Sequence, residues 1–177
     1  MANRINSKAK GGKNERHIAT ALSSWTGMEF ARVPQSGGLG WKNRMQVTGD
    51  VIPTDPKDMV SFPFSVEGKS YASIDLQAPL LGNNCDWLEW WIQAASDARD
   101  ADKLGILFMR RNMMPKGLHF VVVEYEVFDV MLEAQSFNPT MGYYIFSDEL
   151  VIFSSKDLFK AKYKELEKAI NKITWND

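Results

Sequence analysis

The chain has 177 residues, 45% of them apolar and 24% charged, enough for one domain with a sizeable hydrophobic core and too apolar to stay disordered. Its single cysteine, Cys85, excludes an intramolecular disulfide and a cysteine-built zinc cluster and points to a reducing cytoplasm. No apolar run approaches the ~20 residues of a membrane-spanning helix, and the polar, basic N-terminus does not read as a signal peptide.

The net charge of −1 hides an asymmetry, because Met1 to Thr48 carries eight basic residues against two acidic ones and the remainder is acidic. Residues 1–12 read as a basic, flexible arm and residues 13–177 as the folded domain. Asn14 to Trp25 has helical spacing, with Ile18, Leu22 and Trp25 on one face, and Gly27 ends it. Phe30 to Val33 reads as a short strand and Pro34 to Arg44 as a glycine-rich loop. Val47 to Ile52 and Phe62 to Lys69 follow as strands, separated by a turn at Pro53-Thr54-Asp55-Pro56.

Asn84 or Asp86 can cap a helix running to about Asp102, with Trp87, Trp91, Ala94, Ala95 and Ala98 forming its apolar stripe. Ile106 to Met109 and His119 to Tyr125 read as an antiparallel pair. Val127 to Ala134 suggests a short helix, and Tyr143 to Phe146 with Leu150 to Phe153 a second strand pair. Ser154 and Asp157 resemble a capping box for a last helix, with Leu158, Tyr163, Leu166, Ile170 and Ile173 inside. The expected fold is a single α/β domain, with a mixed central sheet flanked by helices.

The chemistry concentrates in Val47-Thr48-Gly49-Asp50-Val51-Ile52 and Phe64-Ser65-Val66-Glu67-Gly68-Lys69. Alternate residues of a strand share a face, so Glu67 and Lys69 point the same way. If the Asp50 strand lies alongside, Asp50 and Glu67 offer hard oxygen ligands to Mg²⁺, with Lys69 beside the attacking water or the phosphate.

An Asp followed by Glu-x-Lys after a strand and a turn resembles the signature of the PD-(D/E)XK nuclease superfamily. Lys13-Asn14-Glu15-Arg16 and Arg32-Val33-Pro34-Gln35-Ser36-Gly37-Gly38 are similar to the corresponding parts of archaeal-type Holliday-junction resolvases and related phage nucleases. These motifs span residues 11–69. A softer likeness continues through Glu89 to Ala94 and Gly105 to Arg110. The chain departs from the pattern at Gly49, where a proline is common, and at Gly68, where an apolar residue or cysteine is usual.

The resemblance implies a restriction-endonuclease-like core across residues 13–177. It also implies a catalytic set of Glu15, Ser36, Asp50, Glu67, Lys69 and Gln93, with Glu15, Asp50, Glu67 and Gly68 at the metal. Mg²⁺ is the implied cofactor, with Mn²⁺ able to substitute. The implied partner is DNA, branched and cut by a homodimer, in the cytoplasm of a bacterial host if the protein is phage-borne. Lys8, Lys10, Lys13, Arg16, Arg32, Ser36, Lys42 and Arg44 are the candidate DNA contacts.

Other readings stay open. A restriction-like or repair nuclease would use the same residues on another DNA, and a non-catalytic DNA-binding module would keep the fold alone. Trp90 shares a helix side with Gln93 and Asp97 and is the tryptophan placed to stack on a base. His17 and His119 are too isolated to suggest a histidine metal site.

Overall fold

Among the described residues, seven strands form one mixed sheet in the order β1-β2-β3-β4-β5-β7-β6, and of their pairings only β3–β4 is parallel. The computed structural model describes residues 7–33, 48–147 and 149–173. The strands are β1 (Phe30–Arg32), β2 (Val51–Pro53), β3 (Phe64–Tyr71), β4 (Leu104–Arg111), β5 (Phe120–Glu124), β6 (Tyr143–Phe146) and β7 (Leu150–Ser154). The helices are α1 (Ser7–Thr26), α2 (Pro56–Ser61), α3 (Asp86–Arg99), α4 (Tyr125–Leu132), α5 (Ser155–Lys160) and α6 (Tyr163–Ile170).

Two cores lie on opposite faces of the sheet. Ile18 and Leu22 of α1, Val127 and Phe128 of α4, Leu158 of α5 and Leu166 of α6 pack on one face, against Val66, Ile106 and Phe108. On the other, Trp87, Trp90, Trp91 and Ala95 of α3 cover Leu107, Met109, Val122 and Ile152. A sheet clothed on both faces is the expected α/β architecture, consistent with a restriction-endonuclease-like core. The parallel β3–β4 pair needs a crossover, and α3 supplies it.

The structure corrects several local expectations. Helix α1 starts at Ser7 instead of Asn14, so residues 7–12 of the expected arm are helical despite Gly11 and Gly12. Tertiary anchoring offsets their poor helix propensity: Lys10 Nζ donates to Tyr71 O (3.1 Å) and Asn112 Oδ1 (2.6 Å), tying the first turns to the ends of β3 and β4. The turn at Pro53 to Pro56 runs straight into α2, whose start is set by Asp55 accepting from Lys57 N–H and by Pro56 in the first turn. Helix α3 has Cys85 at its N-cap, with no side-chain cap, in place of Asn84 or Asp86.

The expected last helix is two. Ser154 does cap α5, accepting from Lys156 N–H, but Asp157 turns away to Thr140 Oγ1 and Met141 N–H. The chain breaks at Ala161 because tertiary partners take up the backbone there: Trp25 Nε1–H donates to Ala161 O (2.8 Å), and Lys162 N–H donates to Ser136 Oγ.

Candidate active site

The site forms where the bend before β2 meets β3. The expected strand from Val47 is shorter than read: β2 begins at Val51, and Asp50 lies in the bend just before it. Gly49 makes that bend, with a backbone φ of +91° that side-chain-bearing residues rarely adopt. A Cβ there would lie 2.6 Å from Val66 O, so the approach to β3 also requires glycine. Asp50 N–H then donates to Val66 O (2.8 Å), and Asp50 Oδ2 accepts from Gly68 N–H (3.1 Å). Three backbone-level constraints thus hold one carboxylate against the strand that carries the other.

Glu67 is buried on β3, with its Oε1 2.7 Å from Lys69 Nζ, as their shared strand face predicts. Burial, followed by the charge of Asp50, pushes the Glu67 carboxyl up to about 7, against the pull of Lys69. Burial lowers the Lys69 ammonium, but Glu67 and Asp50 outweigh it and leave the Lys69 pKa raised. Asp97 of α3 adds further negative charge at Glu67, a neighbour that sequence spacing did not single out as part of the site.

Glu15 approaches from α1 and is also buried. Burial first and Asp50 second raise its pKa, while Arg32 and Arg16 pull it back. The charge of Asp50 is therefore felt by both Glu15 and Glu67. Glu15 Oε2 lies 2.7 Å from Arg32 Nε. The guanidinium N–H is not aimed along that contact, so both buried atoms lack a well-directed hydrogen bond.

Gly68 explains how α1 comes so near. A Cβ at Gly68 would sit 2.8 Å from Ile18 Cδ1, so the departure from the usual apolar residue or cysteine clears room for the helix that carries Glu15. The same face of the helix, one turn earlier at Asn14, is also held by His119. Its Nε2 lies 2.9 Å from Asn14 Oδ1, and its backbone N–H donates to Ser155 Oγ, all three residues being buried.

Residues 6–174 match the model of the family described as phage putative PDDEXK endonuclease. The chain belongs to this PDDEXK family. No curated protein and no solved structure matches it. Family membership supports a nuclease, with DNA as substrate, and PD-(D/E)XK nucleases use divalent metal ions. No helix among the described residues is long and apolar enough to cross a membrane.

The donor chemistry of this PDDEXK site suits such an ion: hard carboxylate oxygens, crowded so that their charges repel, gain from a cation between them. The structure limits which residues do this. Among the described residues, no three Asp, Glu, His or Cys side chains converge closely enough to hold an ion, with Glu67 turned onto Lys69 and Glu15 onto Arg32. Of the Asp50 oxygens, Oδ2 accepts from Gly68 N–H, and Oδ1 has no hydrogen-bond partner among the described residues. Gly68 offers only backbone, and its N–H is already given to Asp50.

The remaining PDDEXK candidates divide by position. Gln93 is exposed on α3, one turn before Asp97. Lys13 and Arg16 are exposed on α1, whereas Lys10 and Arg32 are engaged by protein groups. Ser36, Lys42 and Arg44 lie outside the described residues, as does the side chain of Lys8. Trp90 is buried with its ring stacked on Tyr71 at 4.2 Å, which leaves Tyr71 as the exposed aromatic of the pair.

The His119 link carries a pH signature. Burial, then the charge of Arg110, pushes its imidazole down to about 4, from an ordinary 6.5. The unfolded chain takes up a proton between those values that the folded chain refuses, so stability is lost as pH falls through that window. The loss from this residue is at most about 3 kcal/mol. Urea melts at both ends of the window should show a flatter pH dependence in His119→Gln than in the parent chain, and equal slopes would rule out a neutral, buried imidazole.

Proposed function

We propose that the chain is a Mg²⁺-dependent endodeoxyribonuclease that cuts branched DNA, with the four-way junction as its substrate and a homodimer as its working form. The observation that carries the nuclease chemistry is the approach of Asp50, in the bend before β2, to Glu67 and Lys69 on the central strand β3, with Asp50 locked by the backbone of β3. Asp50 and Glu67 hold the cation. When bound, a divalent cation polarises the phosphate and acidifies water at neutral pH. Mn²⁺ offers the same octahedral oxygen chemistry and should substitute.

In this reading Asp50 and Glu67 would hold the cation, and the Lys69 ammonium, freed from Glu67, would lie at the phosphate oxygens or the attacking water. A buried ammonium directed at developing negative charge favours the transition state over the ground state. Glu15 restrains Arg32 beside the same cluster, so that a guanidinium stands near the incoming backbone phosphate. Gln93 and Ser36 are assigned the lesser task of contacting water or phosphate.

Lys13 and Arg16 supply sequence-independent affinity from the exposed side of α1. Changing both to glutamine should weaken binding to every DNA alike and lower the slope of log affinity against log salt by about 2. An unchanged slope would remove α1 from the DNA interface. The junction preference rests on the resolvase likeness and on the basic residues around Ser36, and a four-way junction cut symmetrically needs two sites. The test is incubation with Mg²⁺ and labelled single-stranded, duplex, flap and four-way DNAs, with mass in solution measured alongside. A monomer that cuts linear duplex as fast as the junction would defeat the substrate and the dimer while leaving the nuclease.

A further inference from the structure

Beyond Lys69, β3 continues to Tyr71 on the same strand face, four residues or about 13 Å past Glu67. Tyr71 is 44% exposed and stacks on Trp90, and Trp90 in turn lines a cavity of about 320 Å³ between the chain leaving β3 and the start of α3. That volume is at the lower end of the range for ligand pockets, about 300–1,000 Å³, and suits a single small planar group. It cannot admit a stacked base pair.

The lining is polar in a particular way. Ser73, Asn83 and Asn84 bring hydroxyl and amide groups, each able to donate and accept. Trp87 also lines the cavity; it is 1% exposed, and its Nε1–H is buried with no acceptor among the described residues. An indole N–H buried without an acceptor is costly, and a small rotation of Trp87 toward a ligand acceptor in the cavity would relieve it. Helix α3 opens onto the same space with no side-chain cap. Asp75 and Asp86 line it too, and their charge disfavours a phosphate there. A neutral ring with hydrogen-bonding edges fits where an anion does not.

We propose that this cavity receives one unpaired nucleobase of the DNA strand being cut, edge-on to Trp87 and the two asparagines, with Tyr71 and Trp90 guiding it in. The inference rests on the nuclease reading and deepens it. The pocket lies beyond Tyr71, which is itself about 13 Å along β3 from Glu67, so it is at least about four nucleotides away at the roughly 3.4 Å rise of a stacked strand. A substrate with an unpaired base at that distance fills the pocket, and an intact duplex does not. Bases stack on aromatic side chains with little regard to identity, so the selection is for unpairing and not for sequence.

Cys85, the chain's single cysteine, lines the cavity and reports on its occupancy. The test is the rate of Cys85 alkylation by iodoacetamide in the full chain with EDTA present, so that no cleavage occurs. A short single-stranded oligodeoxynucleotide, or a duplex with a single-stranded flap, should slow alkylation by about tenfold, and a blunt duplex should leave it unchanged. Trp87→Phe should remove most of that protection; should this core substitution fail to fold, Asn84→Ala, at an exposed position, carries the same expectation. Equal protection by single strand and blunt duplex, or none by either, overturns the pocket. Mg²⁺-dependent cleavage run in parallel separates the two readings: cutting without protection defeats the pocket alone, and protection without cutting of any DNA defeats the nuclease alone.

Discussion

Asp50→Ala and Glu67→Ala are each expected to lower Mg²⁺-dependent cleavage by at least about a thousandfold while leaving DNA affinity the same or slightly higher. The split follows from what these carboxylates do. They hold the cation, and without it the transition state loses its main electrostatic support; toward DNA itself they only repel phosphate. Glu67→Ala also leaves the half-buried Lys69 ammonium without its paired carboxylate, so some loss of stability should accompany the loss of activity. Single-turnover cleavage and gel-shift affinity, measured on the same preparations, check both halves. Full activity in either variant would remove that residue from the metal site.

Gly49→Ala is expected to disable the enzyme without touching a charged group. The backbone there has φ +91°, and the new Cβ would meet Val66 O at 2.6 Å and Val66 N at 2.9 Å. Backbone atoms of a central strand cannot step aside, so the bend must open. Strain of this kind costs on the order of 1–3 kcal/mol. The larger consequence is at Asp50, whose N–H to Val66 O and Oδ2 to Gly68 N–H contacts depend on that bend. A misplacement of about 1 Å in a catalytic group can cost about a hundredfold in rate. The expected result is a folded protein with a lower thermal midpoint and cleavage reduced by about a hundredfold or more. Gly68→Ala serves as a comparison: its Cβ would meet the end of the Ile18 side chain, which can shift, so the loss should be smaller. Equal activity of Gly49→Ala and the parent chain would show that the bend does not govern Asp50.

Much of this fold was legible from local pattern. The apolar stripes of α1 and α3, the β-branched runs of β4, β5 and β7, and the inner face of α6 all follow the periodicity of the residues, and each is buried as that periodicity implies. The pairing of Glu67 with Lys69 follows from strand alternation alone. Trp90 was misjudged because helical phase says which side a residue lies on, not what covers it; Tyr71, nineteen residues earlier, supplies the cover. Asp55-Pro56 carried a helix-start signal that the neighbouring Pro53 disguised as a plain turn.

The amino-acid sequence by itself determined most of the element types, the apolar stripes that cover the sheet and the shared strand face of Glu67 and Lys69, because propensity, period and motif spacing act over a few residues. Only the tertiary structure decided which carboxylates meet. Gly49 bends Asp50 onto β3, the bare Gly68 admits α1, and the Asn14–His119 contact bridges 105 residues to hold that helix in place. Glu15 is drawn to Arg32 for the same reason: Glu15 is buried and Arg32 half-buried at one junction of α1 and β1, where an unpaired carboxylate would be costly. These are contacts between segments far apart in the chain, and their energies depend on distances that no local pattern of residues encodes.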